Sequence, residues 1–438
     1  MSDRPTIIFF PEGAFGPTNN CVGIGQVLRE RGARVVFVVE ESFAGTLEAQ
    51  GFEEALMRLK PPPERDQGEA IGQFWKDFVR ETAPEFRKPT IEQLEGVILP
   101  VWQELVDGAR YVDERLREIF AELQPDVIVE DNVVAFPAVP ATGVPWVRIV
   151  SCNPLELKDP ALPPPFSGYP TGDRSGWDEF RARYRELHEP LRREFSQFCV
   201  ERDAPPLPDG DFIHESPWLN LYLYPQEADY ERSRPLADIW HRLDSSVRES
   251  REALSQTLQQ TVTKSRDDCA LLYLSLGSLG SADVELMQRL IDMLGATEHR
   301  VIVSLGPQHE ELTLAENMVG AEFLPQPAIL PQVDLVLTHG GNNTVTESLH
   351  FGKPMILLPL FWDQYDNAQR LDELGLGVRL APYEVEAEEL TGAIARLLGD
   401  LHLRRRLGAT ATRLQASPGR IQAADLIETV ARRQAPVA

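Results

Sequence analysis

Short apolar runs alternate with helical stretches along the whole chain, and that alternation leaves few folds open. Residues 6–10 form a β-branched and aromatic run that reads as a buried strand. A polar, glycine-bearing loop follows over 11–20, then a helix from about Cys21 to Arg31, stopped by Gly32. Residues 33–39 read as a second buried strand. Strand, helix and strand at this spacing make a βαβ unit, which builds a parallel sheet with helices on its faces. Further strands are expected over 127–130, 146–150 and 219–223, with helices over 71–86, 91–123 and 177–201. Phe74, Trp75, Phe78 and Trp102 recur at helical spacing and read as core rather than as ligand lining. Residues 153–175, rich in Pro, Gly and charge, read as a long ordered loop.

The second half repeats the pattern. Strands are expected over 270–276, 301–304, 333–338 and 355–358, and helices over 283–294, 344–351 and 367–374. The tail, 388–433, reads as helical with breaks near Gly399 and 417–419. At 438 residues the chain is too long for one core. The polar stretch 244–268 shows no strand or core pattern and reads as the interdomain linker. The expectation is an α/β protein with parallel-sheet domains over 1–243 and 269–438, the last helix being a candidate to cross back to the first. Ligands of such sheets bind at the carboxyl ends of the strands. A cleft between two of them suits two substrates.

Charge narrows the function. Lys plus Arg is 43 against 68 Asp plus Glu, a net charge of −25. Such a surface repels nucleic acid and anionic lipid, so an anionic ligand must be held by local backbone dipoles. No apolar run approaches the roughly 18–20 residues of a membrane span, and the start carries no signal-peptide pattern. Cys21, Cys152, Cys199 and Cys269 lie far apart without CxxC spacing, which reads as reduced core thiols. A cytoplasmic enzyme is expected.

The most informative stretch is 323–367. It holds Phe323-Leu324-Pro325-Gln326, then a strand ending in Thr338-His339-Gly340-Gly341-Asn342-Asn343-Thr344, then Glu347, Gly352-Lys353-Pro354 and Trp362-Asp363-Gln364. Glycines let backbone approach a ligand closely. A helix entered near Thr344 offers unpaired N–H groups and a positive dipole end, a phosphate site for a chain without a positive field. His339, Asn343 and Thr344 add side-chain donors. Glu347, about one turn further on, can accept two ribose hydroxyls, or can be a first-turn capping residue. Phe323 offers a base a flat face, or is core. Asp363 and Gln364 suit vicinal sugar hydroxyls, or simply start a helix.

This string resembles the donor-binding signature of the family 1 glycosyltransferases, which include plant small-molecule glucosyltransferases and bacterial antibiotic glycosyltransferases. The plant form carries Trp-x-Pro-Gln, His-Cys-Gly-Trp-Asn-Ser-x-x-Glu, Gly-x-Pro and Asp-Gln. The chain keeps that spacing through the second half of the signature, with Phe323 for Trp, Gly340 for Cys, Asn342 for Trp and Thr344 for Ser. The resemblance covers the whole layout and is specific over about 270–380. It implies a GT-B fold, two Rossmann-like parallel-sheet domains facing across a cleft, with donor on the second and acceptor on the first. It implies that Phe323 stacks on the base and that Gln326 and Glu347 hold the ribose. Ser278, His339, Asn343 and Thr344 would hold the diphosphate, and Gly341 and Asn342 of the same turn count among the donor-binding residues. Trp362, Asp363 and Gln364 would hold the sugar. The family inverts the anomeric centre without a metal or further cofactor. UDP-glucose is the default donor, and the apolar helices suggest a macrolide- or ansamycin-like acceptor. Asp209-Gly210-Asp211 lies in a Pro-rich loop and reads as a turn rather than a metal site.

The family's proton acceptor is a His in the loop after the first strand, oriented by an Asp from a later strand. Here Pro17 stands at the His position, and no histidine precedes His188. Asp131 follows the 127–130 strand where the partner Asp is expected. Three readings stay open: Asp131 is itself the base, another residue such as Glu12 or His214 reaches in, or the acceptor hydroxyl needs no strong base. Asp131 is the catalytic residue expected, although a capping carboxylate explains it equally. Two rival functions remain, a nucleotide-sugar-binding accessory protein without turnover and a nucleotide-sugar epimerase that needs no acceptor.

Overall fold

A computed structural model describes residues 4–61, 82–249, 254–263, 269–416 and 418–433. Two parallel sheets organise them. The first joins β1 (Thr6–Pro11), β2 (Arg34–Glu40), β3 (Glu53–Met57), β4 (Val127–Asp131), β5 (Trp146–Val150), β6 (Leu219–Tyr222) and β7 (Trp240–Arg242), in the order 3-2-1-4-5-6-7. The second joins β8 (Leu271–Ser275), β9 (Arg300–Ser304), β10 (Met318–Ala321), β11 (Leu335–Thr338), β12 (Met355–Leu357) and β13 (Gly377–Arg379), in the order 10-9-8-11-12-13.

Helices of eight or more residues are α1 (Phe15–Glu30), α2 (Leu99–Leu123), α3 (Trp177–Glu201), α4 (Gln256–Thr263), α5 (Val284–Gly295), α6 (Asn342–His350), α7 (Gln364–Glu373), α8 (Ala387–Gly399), α9 (Leu401–Ala416) and α10 (Gly419–Arg433). Central strands such as β4, β5, β8 and β11 are buried along their whole length. Helices cover both faces of such strands, which therefore read as continuous apolar runs.

Several boundaries differ from the sequence expectation. Edge strands β3, β7, β10 and β13 each have one strand neighbour and half-exposed positions, so they lack the unbroken apolar run that marks a central strand. α1 opens at Phe15, not near Cys21, because Pro17 sits in its first turn, where an N–H has no intrahelical partner to lose. The loop between β1 and α1 is thus only Glu12, Gly13 and Ala14. The helix expected over 71–86 falls mostly outside the described residues, as do Phe74, Trp75 and Phe78. The helix expected over 91–123 passes through a π turn at Leu94–Ile98 into α2.

The segment between the sheets is not a free tether. Ser245 and Ser246 are buried, and Ser246 Oγ donates to the Asn20 carbonyl at 3.0 Å. Leu258 of α4 joins the second sheet's core. α10 packs against the first sheet, not the second. Ala423, Ala424, Ile427 and Val430 share a core with Cys21, Val22 and Ile24 of α1, and Arg31 pairs with Asp425 at 2.7 Å. All four cysteines are free. Among the described residues no helix is long and apolar enough to cross a membrane.

In both sheets the strand order reverses beside the first strand, between β1 and β4 and between β8 and β11. Crevices for ligands open there, outside the carboxyl ends of the strands. Glu12 and Asp131 lie at the first of these points, and Ser278 and His339 at the second.

Candidate functional site

β11 ends in Thr338 and turns through His339, Gly340 and Gly341 into α6, which opens at Asn342, two residues before Thr344. Gly340 holds φ +88, a left-handed conformation open to glycine. The His339 ring is wedged between two other glycines. A Cβ on Gly341 would meet its Nε2 at 2.5 Å, and one on Gly277 would meet Nε2 and Cε1 at 2.8 Å. Burial pushes His339 down to about 4, so the ring is neutral near pH 7, and it is hydrogen-bonded to the Ser275 backbone. It therefore brings a dipole rather than a charge to the turn. Ser278 lies half-buried in the short turn after β8, on the same side.

The α6 side chains divide. Asn342 is 6% exposed, and its Nδ2 donates to the carbonyls of Ser151 (2.8 Å) and Leu223 (3.0 Å) on the first-sheet unit. The sequence places Asn342 among the donor-binding residues, but its side-chain nitrogen ties the two units together instead, and its buried Oδ1 has no partner among the described residues. Thr344 Oγ1 accepts from Gln326 Nε2 at 3.3 Å. Glu347 is 1% exposed and engaged at both oxygens, with Oε1 taking Arg248 Nη1 at 3.0 Å and Asn343 Nδ2 at 3.3 Å, and Oε2 taking Gln326 Nε2 at 2.6 Å. Sequence reasoning missed Arg248, which lies in the segment read as a linker with no core pattern. Phe323 is 54% exposed, and its ring centroid lies 5.6 Å from that of Phe15 on the first turn of α1. Phe15 was likewise missed, because that turn was read as loop.

At the end of β12, Trp362 adopts φ +59 and turns its ring toward the first-sheet unit, 4.5 Å from Phe166 and 5.2 Å from Trp102. Asp363 Oδ2 accepts the Asn153 N–H at 2.8 Å, and burial first of all pushes its carboxyl up to about 7. Gln364 folds back, its Oε1 accepting the N–H groups of Leu360 (3.0 Å) and Phe361 (3.3 Å). Its carbonyl thus shapes its own turn, and only its NH₂ is left for a sugar. The loop 153–175 is anchored to α7, with Asp366 accepting the N–H groups of Phe166 (2.6 Å) and Gly168 (2.8 Å). Beyond it a cavity of about 560 Å³ is lined by Pro163, Pro164, Phe180, Tyr184, His188 and Phe212 among others.

Asp131 closes β4 instead of following it and is 3% exposed. Its Oδ1 accepts Ser151 Oγ at 2.8 Å, and its buried Oδ2 has no partner. Burial, aided by the charges of Glu12 and Glu156, pushes it up to about 8. The expected base is therefore sealed from an incoming hydroxyl by the strand that carries it. His214 does not reach in either, since its Nε2 is bound to the Pro205 carbonyl at 2.7 Å. Asp209 and Gly210 form a turn, with Gly210 at φ +77, and Asp211 pairs with Lys158.

Known proteins resemble this chain over its whole length. The description "Erythromycin biosynthesis protein CIII-like, C-terminal domain" matches residues 288–427. The demethyllactenocin mycarosyltransferase of Streptomyces fradiae is 25% identical over 428 residues, covering 96% of this chain and 86% of that one. The NDP-glycosyltransferase YjiC of Bacillus subtilis (strain 168) is 23% identical over 96% of each chain. The solved glycotransferase of kitacinnamycin shares the fold with a TM-score of 0.67 at 22% identity, over the full length of both chains. The glycosyltransferase VinC in complex with dTDP does so with a TM-score of 0.66 at 16% identity, over 98% of this chain and 100% of that one.

Proposed function

This chain is a family 1 glycosyltransferase of the EryCIII-like type with the GT-B fold, and from that premise we propose that it carries a hexose from a nucleoside diphosphate to a hydroxyl of an apolar small molecule, inverting the anomeric centre. One observation carries the reading: a buried strand ends in Thr338, turns through His339 and two glycines and opens α6 beneath the cleft between the sheets. The freed N–H groups and dipole of that helix stabilise the charge that develops on the leaving diphosphate. Holding it needs no metal, so a chelator leaves the rate unchanged. Trp362, Asp363 and Gln364 receive the sugar. The acceptor enters the 560 Å³ cavity, whose proline and aromatic walls suit a macrolide- or ansamycin-sized apolar body and whose charged lining residues, Arg181, Arg185, Glu189 and Arg193 among them, suit its polar groups. Its proton leaves toward the carboxyls gathered around Asp131.

UDP-glucose is the donor proposed first. Glu347 recognises a ribose diol only after Arg248 and Asn343 release its Oε1. That same occupancy favours a second reading, a thymidine diphosphate donor, whose deoxyribose asks for one hydroxyl contact instead of two. Relatives among the solved structures, VinC and the spinosyn rhamnosyltransferase SpnG, were captured with thymidine diphosphate. The two donors separate in a competition assay. Arg248→Ala is expected to lower the KM for UDP-glucose about tenfold, roughly 1.4 kcal/mol of binding, and to leave a thymidine donor unchanged.

Product NMR with a panel of nucleotide sugars and apolar acceptors tests the whole reading. An inverted glycoside is expected, with Asn343→Ala and Glu347→Ala inert. A retained anomer, or full activity in both variants, rejects it. Tight donor binding without transfer points to an accessory protein, and conversion of the donor alone to an epimerase.

A further inference from the structure

The loop between β1 and α1 carries one ionisable side chain, Glu12. β1 and β4 run parallel with Pro11 opposite Asp131, and the Glu12 N–H donates to the Asp131 carbonyl at 2.9 Å. That bond pins Glu12 at the point where the strand order of the first sheet reverses. The two carboxyls there differ. Asp131 is sealed: one oxygen is bound by Ser151, the other buried without a partner. Ser151 in turn presents its carbonyl to Asn342 at the start of α6. Glu12 is only half-buried, and its carboxylate has no hydrogen-bond partner among the described residues. It borders a small cavity of about 20 Å³ whose other walls include Phe10, Met57, Leu105 and Phe136. A hydroxyl brought to the end of β1 meets Glu12 and cannot meet Asp131, whose unpaired oxygen is buried.

We propose that Glu12, not Asp131, is the general base of the transfer, and that Asp131 is the positioning residue that fixes Ser151. This rests on the transferase reading. The acceptor O–H bond breaks and its proton passes to a Glu12 oxygen. The acceptor oxygen bonds to the anomeric carbon, and the bond from that carbon to the diphosphate breaks with its electron pair leaving on the diphosphate. Glu12 then returns the proton to solvent.

The surroundings tune Glu12 for this work. Burial first, then Glu156 after β5, Glu40 at the end of β2 and Asp363 before α7, push it up to about 7. The cations nearby are partly committed elsewhere: Arg148 pairs with Glu156 at 2.9 Å, and Lys60 acts on Glu40. Asp131 on β4 is held up to about 8 and so carries its proton at neutral pH.

The test uses the full chain with one transferable donor and acceptor. Glu12→Gln is expected to lose about a hundredfold or more in kcat, with the nucleotide-induced thermal shift unchanged. The wild-type kcat rises through a limb near pH 7 that the variant lacks. Asp131→Asn, neutral and isosteric with the protonated acid, stays within about tenfold. Formate restores rate to Glu12→Ala, which a merely structural role would not allow. An acidic nitrophenol acceptor recovers most of the rate in Glu12→Gln. A Glu12→Gln rate within about threefold of wild type overturns the proposal alone, as does an Asp131→Asn loss as large as that of Glu12→Gln. A wild-type chain that binds nucleotide but transfers to no acceptor overturns the transferase reading and this proposal with it.

Discussion

His339 is held by absence. Two glycines from the turns after different strands leave room for its ring, and each answers a different physical demand. Gly341 has φ −59, which any residue adopts, so Gly341→Ala adds only a methyl carbon 2.5 Å from His339 Nε2. The expected outcome is a displaced ring, a kcat down by about tenfold or more, and a nearly unchanged Tm. Gly277 has φ +71, so Gly277→Ala suffers the same crowding and a backbone cost of about 1–2 kcal/mol as well. It is expected to lose both activity and several degrees of Tm. Steady-state kinetics alongside thermal melts separate the two. Equal losses of Tm would show that the fit around His339 is not what these glycines provide.

At the scale of elements, α7 is the part that joins the sugar-holding turn to the acceptor side. Its first turn follows Asp363, Asp366 holds the Phe166 and Gly168 amides, and Glu373 accepts from Thr171 N and Oγ1 at 3.0 and 3.1 Å. The loop 153–175 is ordered because a helix from the other sheet unit satisfies its backbone. Asp366→Ala removes two of those acceptors while leaving the donor turn in place. The KM for the acceptor is expected to rise about tenfold, donor affinity to stay, and limited proteolysis to begin within 153–175. Unaltered proteolysis would show that the loop stands without α7. The anchors could not be read from sequence, because a carboxylate that accepts two amides of a loop two hundred residues away leaves no local pattern.

At the scale of the whole molecule, buried acids and surface charge act together. Glu12 and Asp363 are pushed up to about 7, and Glu130, Asp131 and Asp366 up to about 8, burial being the leading cause in each. The folded chain therefore keeps protons that the unfolded chain has released, so stability falls as pH rises toward these values. Buried His188, His339 and His350, pulled down to about 4, act in the opposite sense, but only below their ordinary value near 6.5. From pH 6.5 to 8 the carboxyls act alone within this set. Tm is expected to fall by several degrees over that range in scanning calorimetry, and added salt to recover part of the loss by screening the net charge of −25. A flat profile would mean these acids are ionised in the fold. The closing helix makes a second global prediction. Ile427, fully buried between α1 and the first sheet, belongs to the last turns of the chain, and Ile427→Ala is expected to cost about 2–5 kcal/mol in denaturant unfolding.

What the sequence determined by itself was the part of the protein written in neighbouring residues. Central strands buried on both faces show as unbroken apolar runs, helices as periodic ones, and the strand–glycine–helix turn at His339 as a contiguous string. Edge strands such as β3 and β13 were lost because a strand with one neighbour has no such run. The tertiary structure alone decided which polar groups meet. It placed Arg248 on Glu347, turned the Asn342 amide to Ser151 and Leu223, sealed Asp131, and left Glu12 open at the end of β1. Hydrogen bonds and charges act over a few ångströms of space whatever the distance along the chain, so residues a hundred or two hundred positions apart settle the chemistry of the site with no local trace in the sequence.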